Sequence, residues 1–367
     1  MIIMKILFIG ARLFNDVADY AKRMGITTIL TESNPKAPNL DLADKYYIVP
    51  RGMDKPAEIA LQEDVDAIVP LIGVDPPLIE VAKMKEKLEK EYKIPVVASN
   101  IKTVTVSTNK RKTKEFFKEN NIKTPRYHII EDKIPETSYP TVLKQEKGQA
   151  GQNLIIAKDE ESIKSYLKTY KRAIMEEYIS GHEISVEVLR WDDKTYPIVV
   201  VDKGKTTIQG IHPLQKVKKA PASIPGLDNR KVLRLAQRIT EKLQAEGNTD
   251  IDMIFHPKSR EIYTIEVNTR PSGTRYLSAA STGIHPLEQL VNMAMGEWKP
   301  EKLTRRKFHA LEIPIGEFEY DNPPRTFKGE NSWILHGPEG HRRITIRSTN
   351  ENKTREILKK LNIRLIR

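Results

Sequence analysis

Apolar residues form a short contiguous block at 5–9, closed by Gly10, then a helical stripe over 17–24, then a β-branched block at 27–30. The change from an unbroken run to a 3.6-residue stripe and back predicts a strand–helix–strand unit. The alternation continues with strands at 45–49, 67–71 and 95–97 and helices near 56–62 and over 77–92, so the first hundred residues predict a parallel α/β layer. Gly10 stands alone where a dinucleotide fingerprint needs three spaced glycines, which argues against that reading.

Beyond this layer the pattern predicts a lysine-rich helix over 106–120, a strand at 127–130, a polar loop at 131–138, and strands at 140–144 and 154–157 flanking a loop that holds Gly148 and Gly151. A helix at 159–168, strands at 173–178, 183–189 and 196–201, a long helix at 230–245 and paired strands at 250–255 and 261–267 follow. From about residue 305 short strands at 311–318, 332–335 and 343–347, a helix at 353–361 and a final strand read as a small α/β appendage. The expected organisation is an N-terminal domain at 1–104, a central domain at 105–300 with a lid at about 125–190, and a C-terminal domain at 301–367.

The densest chemistry lies on the pair of strands in the last third. Alternate residues of a strand share a face, so Glu266 and Asn268 project together, and Asp252 on the neighbouring strand can meet them. Three hard oxygen donors suit Mg²⁺, with Mn²⁺ as a substitute, better than a soft transition metal. Arg270 and Arg275 follow directly, and guanidinium groups there can take a transferring phosphoryl group or a substrate carboxylate. The eight histidines show neither metal-ligand nor triad spacing.

These strands, continued by Pro271-Ser272-Gly273-Thr274-Arg275, resemble the metal-binding end of the ATP-grasp superfamily, similar to the carbamoyl-phosphate synthetase large subunit and the lysine ligase of pyrrolysine biosynthesis. The resemblance runs in order from Lys5 to Glu297. It implies an ATP-grasp fold behind a parallel pre-ATP-grasp domain. It also implies an ADP-forming carboxylate–amine ligase that uses ATP and Mg²⁺ and works through an acyl-phosphate on small amino-acid-like metabolites. By position, Lys110 and Lys144 match the two phosphate lysines, the loop with Gly148 and Gly151 the flap, and Glu176, Tyr178, Ile179 and Glu183 the hinge that holds adenine and ribose. Strand register decides which of Glu176 and Glu177 faces the nucleotide, and Glu176 is preferred. Arg270 and Arg275 fall in the catalytic set, and Asp252, Glu266 and Asn268 in the metal set. The flap is poorer in glycine than its counterparts, with Ala150 where another is expected. Glu32 and Asp75, at strand ends of the first domain, are candidates to meet a substrate ammonium. The segment from Lys203 to Ala222, with Gln209-Gly210-Ile211-His212-Pro213, carries no substrate motif that transfers.

Composition narrows the alternatives. There is no cysteine, which removes disulfides, thiolate metal sites and a thiol nucleophile, and suits a cytoplasmic protein. The start reads as a buried strand and not an exported leader, Met4 is an alternative initiator, and no run approaches membrane-spanning length. The net charge of +12 arises from 61 basic residues interspersed with 49 acidic ones, the pattern of a solvated surface and not of a nucleic-acid-binding patch. The expected partners are small carboxylate and amine substrates and, by analogy with related folds, a second copy of the chain in a homodimer. A catalytically silent ATP-binding regulator of the same fold is the competing class, and a basic nucleic-acid-binding protein the more distant one.

Overall fold

The structure, a computed structural model, describes residues 4–148, 151–208, 215–316, 324, 326–337 and 340–363. Ala150, the 209–213 motif and the final strand lie outside them.

Three sheets organise the chain. In the first, β1 (Lys5–Ile9), β2 (Thr27–Glu32), β3 (Lys45–Ile48) and β4 (Ala67–Pro70) run parallel in the order β3-β2-β1-β4. Helices Ala18–Arg23, Asp54–Gln62 and Leu78–Glu91 connect or follow them. The 95–97 segment contributes an isolated bridge, Ile68 to Val96, and not a full strand. In the second sheet, β5 (Tyr127–Ile130), β6 (Thr141–Lys144), β7 (Ile155–Ala157) and β8 (Ala173–Glu177) are antiparallel in the order β5-β8-β6-β7.

The third sheet has eight strands: β9 (His182–Trp191), β10 (Lys194–Lys205), β11 (Lys218–Ala220), β12 (Gly247–His256), β13 (Glu261–Asn268), β14 (His309–Gly316), β15 (Ser332–His336) and β16 (Arg342–Ser348). Its order is β13-β12-β9-β10-β11-β14-β16-β15, so the C-terminal strands are joined to the central sheet through β11. Period-two alternation divides its faces. Ile184, Val186 and Val188 of β9 and Ile251, Met253 and Phe255 of β12 pack with Val232, Ala236 and Ile239 of the helix Asn229–Leu243. The intervening Glu183, Ser185, Glu187, Asp250 and Asp252 are therefore turned to the opposite face, where the chemistry lies.

Two departures from the sequence pattern shape the site. The helix expected over 106–120 is two helices, Ile101–Ser107 and Lys110–Glu119, because the Asn109 side chain accepts from Lys112 N at 3.0 Å and caps a new start. Lys110 thereby becomes a first-turn residue. Helices Arg275–Thr282 and Pro286–Ala294, which no periodicity marked, follow the site strands directly.

Candidate active site

Strands β12 and β13 place Asp252 directly opposite Glu266 and Asp250 opposite Asn268. The Asn268 amide nitrogen donates to Glu266 Oε1 at 3.1 Å and to Asp252 Oδ2 at 3.4 Å, so the three side chains meet on one face. A hard cation between them would take the amide oxygen in place of the nitrogen. Burial, followed by the charges of Asp250 and Glu266, pushes the Asp252 carboxyl up to about 7 against the pull of Lys203, whose ammonium lies 2.5 Å from Oδ1. Glu266 is also buried, yet Lys110 and Lys144 hold it below its ordinary range. Asp250 Oδ1 is buried without a hydrogen-bond partner. Among the described residues no three carboxylates or imidazoles converge as a metal cluster. The set here is two carboxylates and an amide, all oxygen donors with negative charge in excess, and it fits Mg²⁺.

Facing them is a group of lysines. Lys110 N donates to Glu146 O at 2.8 Å, and the Lys110 ammonium to Gly148 O, which ties the helix start to the flap. Lys144 closes β6, is 4% exposed, and lies 2.5 Å from Glu176 Oε1. Glu176 is buried whereas Glu177 points outward to Arg126, as alternation along β8 requires. The structure thus sets Glu176 against the ammonium groups of Lys144 and Lys114. Gly148 and Gly151 have φ of 109° and 76°, conformations that L-residues with side chains rarely adopt.

Past β8 the chain runs through half-buried Tyr178 and buried Ile179 to Gly181. Gly181 N donates to Thr206 Oγ1 and Thr206 N to Gly181 O, both at 2.9 Å, and a Cβ on Gly181 would stand 2.2 Å from Phe255 O. Only glycine permits that approach. Glu183 then pairs with Lys216 at 2.5 Å.

The remaining expected residues are engaged with the protein itself. Arg270 donates to Asp75 Oδ1 at 2.5 Å and to Asn268 Oδ1 at 3.3 Å, so Asp75 meets a cation of the chain at the edge of the metal set. Arg275 donates to Asp16 Oδ2 at 2.5 Å, and Tyr276 bonds the same carboxylate. Glu32 accepts from the backbone of Ala11, Ser33 and Asn34 and anchors the turn after β1. Three residues went unmarked: buried Lys114, half-buried Lys203 and buried Lys216, each against an expected carboxylate, Glu176, Asp252 and Glu183 respectively. Of these only Lys114 carried a signal, its i+4 spacing from Lys110 on one helix face.

A parallel α/β layer, a small antiparallel sheet and a large sheet that sets lysines against an acid–acid–amide group define the architecture of a nucleotide-dependent ligase. Residues 107–274 match the ATP-grasp domain and residues 6–97 the PylC-like N-terminal domain. The chain is 46% identical over 360 residues to a carbamoyl-phosphate synthase of Methanobrevibacter smithii, covering 95% of this chain and 98% of that one. It is 26% identical over 294 residues to the carbamoyl phosphate synthase large chain of Methanothermobacter thermautotrophicus, of which it spans 27%. It shares its fold with N5-carboxyaminoimidazole ribonucleotide synthetase from Thermotoga maritima (TM-score 0.75, 21% identity, 98% of each chain). The same holds for an L-amino acid ligase from Bacillus licheniformis (TM-score 0.75, 17% identity, 98% and 97%). The chain belongs to the ATP-grasp family and is an ADP-forming ligase that makes carbon–nitrogen bonds. Among the described residues no helix is long and apolar enough to cross a membrane.

Proposed function

We propose that this protein activates a small carboxylate with ATP as an acyl-phosphate and transfers the acyl group to an amine. The observation that carries the reading is the gathering of Asp252, Glu266 and Asn268 on one face, where Lys110 and Lys144 hold the buried Glu266 carboxyl low. Anionic phosphates can therefore contact the lysines, and Asp252, Glu266 and Asn268 are the residues that would hold a magnesium ion beside them. Bound there, Mg²⁺ supplies positive charge to the outer phosphate oxygens. Lys110 and Lys144 spread the charge that grows on the leaving ADP, and Arg270, already bonded to Asn268, is placed to orient the carboxylate that attacks the γ-phosphorus. The flap of Gly148 and Gly151, tied to Lys110, covers the labile anhydride and excludes water until the amine attacks its carbonyl carbon and phosphate departs. Tyr178, Ile179 and Glu183 line the hinge side, where adenine and ribose are bound.

The relative at 46% identity, named a carbamoyl-phosphate synthase, supports a one-carbon substrate class. Carbamoyl phosphate is a mixed anhydride of a carboxylate and phosphate that also carries a carbon–nitrogen bond, the two bonds this chemistry makes. One-carbon carboxylates thus head the test, ahead of amino acids. The assay records ADP release by purified protein across bicarbonate, amino acids, ammonium and amino-acid amines, beside Glu266→Ala. ADP release should require both a carboxylate and magnesium and should fall by at least about a hundredfold in the variant. Turnover insensitive to Glu266→Ala overturns the site, and tight ATP binding without ADP release for any pair would make the protein the silent regulator. We also propose a homodimer, read by light scattering as twice the 42.0 kDa chain mass.

A further inference from the structure

Lys114 lies one helical turn beyond Lys110, and its side chain is 0% exposed. Its ammonium donates to Thr124 Oγ1 at 2.5 Å and stands 3.1 Å from Glu176 Oε1, with the Tyr127 ring centroid 5.9 Å away. Thr124 is itself fixed, because its hydroxyl donates to Thr264 O on β13 at 2.8 Å. The charged groups that bear on Lys114 come from three other strands: Glu176 of β8, Lys144 of β6 and Glu266 of β13.

Burying an ammonium carries a desolvation cost that a methionine of similar length would avoid, so such a pair is weak evidence for a stabilising role. Here burial outweighs Glu176 and draws the Lys114 ammonium down to about 8. What the arrangement does achieve is geometric. A single oxygen, Glu176 Oε1, lies between two ammonium groups, Lys144 at 2.5 Å and Lys114 at 3.1 Å. With Lys114 present the carboxylate is anchored from behind and its charge is shared. Without it the whole charge falls on Lys144, which is then drawn into a simple ion pair and away from any other anion.

We propose that Lys114 is a positioning residue for the nucleotide: it fixes the Glu176 carboxylate and so keeps the Lys144 ammonium available to the outer phosphates. This rests on the reading that Lys144 meets ATP, and it assigns Lys114 no contact with the nucleotide. The role is therefore exerted through Glu176, and a double-mutant cycle exposes it.

The experiment measures ATP–Mg²⁺ binding by calorimetry for the wild type, Lys114→Met, Glu176→Gln and the double variant, with melting temperatures alongside. Lys114→Met should weaken binding about tenfold, the size of an ordinary coupling between neighbouring charged groups. It should raise the KM for ATP while kcat at saturating ATP changes less. The double variant should bind no more weakly than the weaker single, because with Glu176 neutral Lys114 has no carboxylate left to anchor. Wild-type-like binding by Lys114→Met, or losses that multiply in the double variant, overturns the proposal while leaving the nucleotide reading intact. No ATP binding by the wild type overturns both. If Lys114→Met fails to fold, Lys114→Gln, which retains a donor toward Thr124, enters the same cycle and is judged by the same outcomes.

Discussion

Removing Asp16 tests whether Arg275 is a strut or a reactive group. Asp16 ends the turn Ala11–Asp16 after β1, and its side chain is 1% exposed against 14% for Arg275. Its carboxylate takes the Arg275 Nε at 2.5 Å and the Tyr276 hydroxyl, while Arg275 keeps one other bond, to Ser272 O at 3.1 Å. Asp16→Ala leaves a guanidinium inside the protein with that carbonyl and the Tyr276 ring face for company. Breaking a buried pair from one side costs about 3–5 kcal/mol. With an unfolding entropy of about 2.1 cal/mol/K per residue, 367 residues give about 0.8 kcal/mol/K, so the melting temperature should fall by about 4–6 °C. Burial works against the Asp16 charge, but Arg275 holds its carboxyl below the usual range. The stability it contributes is complete above the unfolded value of 3.8 and lost as pH falls through the lower folded value, so the gap to Asp16→Ala should close in acid. Asp16→Leu with Arg275→Met, which removes both charges, should recover most of the loss. That recovered variant should retain ADP release within a few-fold, as expected of a strut. A drop of less than about 1 °C in Asp16→Ala, or a double variant as unstable as the single, refutes the reasoning, and a stable but inactive double variant returns Arg275 to the catalytic set.

Glu266→Gln keeps the shape of the proposed metal group and removes one of its two carboxylates, so calorimetry should show ATP binding that no longer responds to magnesium, in a protein that melts lower than the wild type because Lys110 and Lys144 lose the charge they favour. Gly181→Ala drives a methyl group to 2.2 Å from Phe255 O, and the resulting overpacking of about 1–3 kcal/mol should loosen the hinge and weaken ATP binding, whereas Ser180→Ala beside it should do neither. Burial holds His336 down to about 4 from 6.5 despite Glu312, so between those values the unfolded chain binds the extra proton and acid destabilises the fold. Urea titrations should find the advantage of wild type over His336→Gln shrinking by on the order of 1 kcal/mol per pH unit across that window, and a constant gap would refute it.

The parts of this protein that could be read from residue order are those governed by local rules. Blocks of β-branched residues alternating with helical stripes marked the parallel sheet, and strand alternation alone put Asp252, Glu266 and Asn268 on one face. Alternation put Glu176 and Glu177 on opposite faces, and the register that buries Glu176 is set by the neighbouring strands. What escaped was set by partners distant in sequence. Strand β11 is three residues, Lys-Lys-Ala, whose inward Lys218 is buried against Glu312 of β14, so its pattern is that of an exposed strand turned inside out. The helix Arg275–Thr282 is buried along most of its length and has no polar stripe to give it a period. Joining the C-terminal strands to the central sheet depends on β11 pairing with β14, across about ninety residues that carry no local sign of it. The same limit explains the site. Three of the four carboxylates that the motif marks are paired with an unmarked lysine from another element: Glu176 with Lys114, Asp252 with Lys203 and Glu183 with Lys216. A buried carboxylate without a countercharge would protonate and cease to hold a cation. The motif therefore specifies which acids are present, while the lysines that meet them, of which only Lys114 left a sign in the sequence, favour the charged form of those acids.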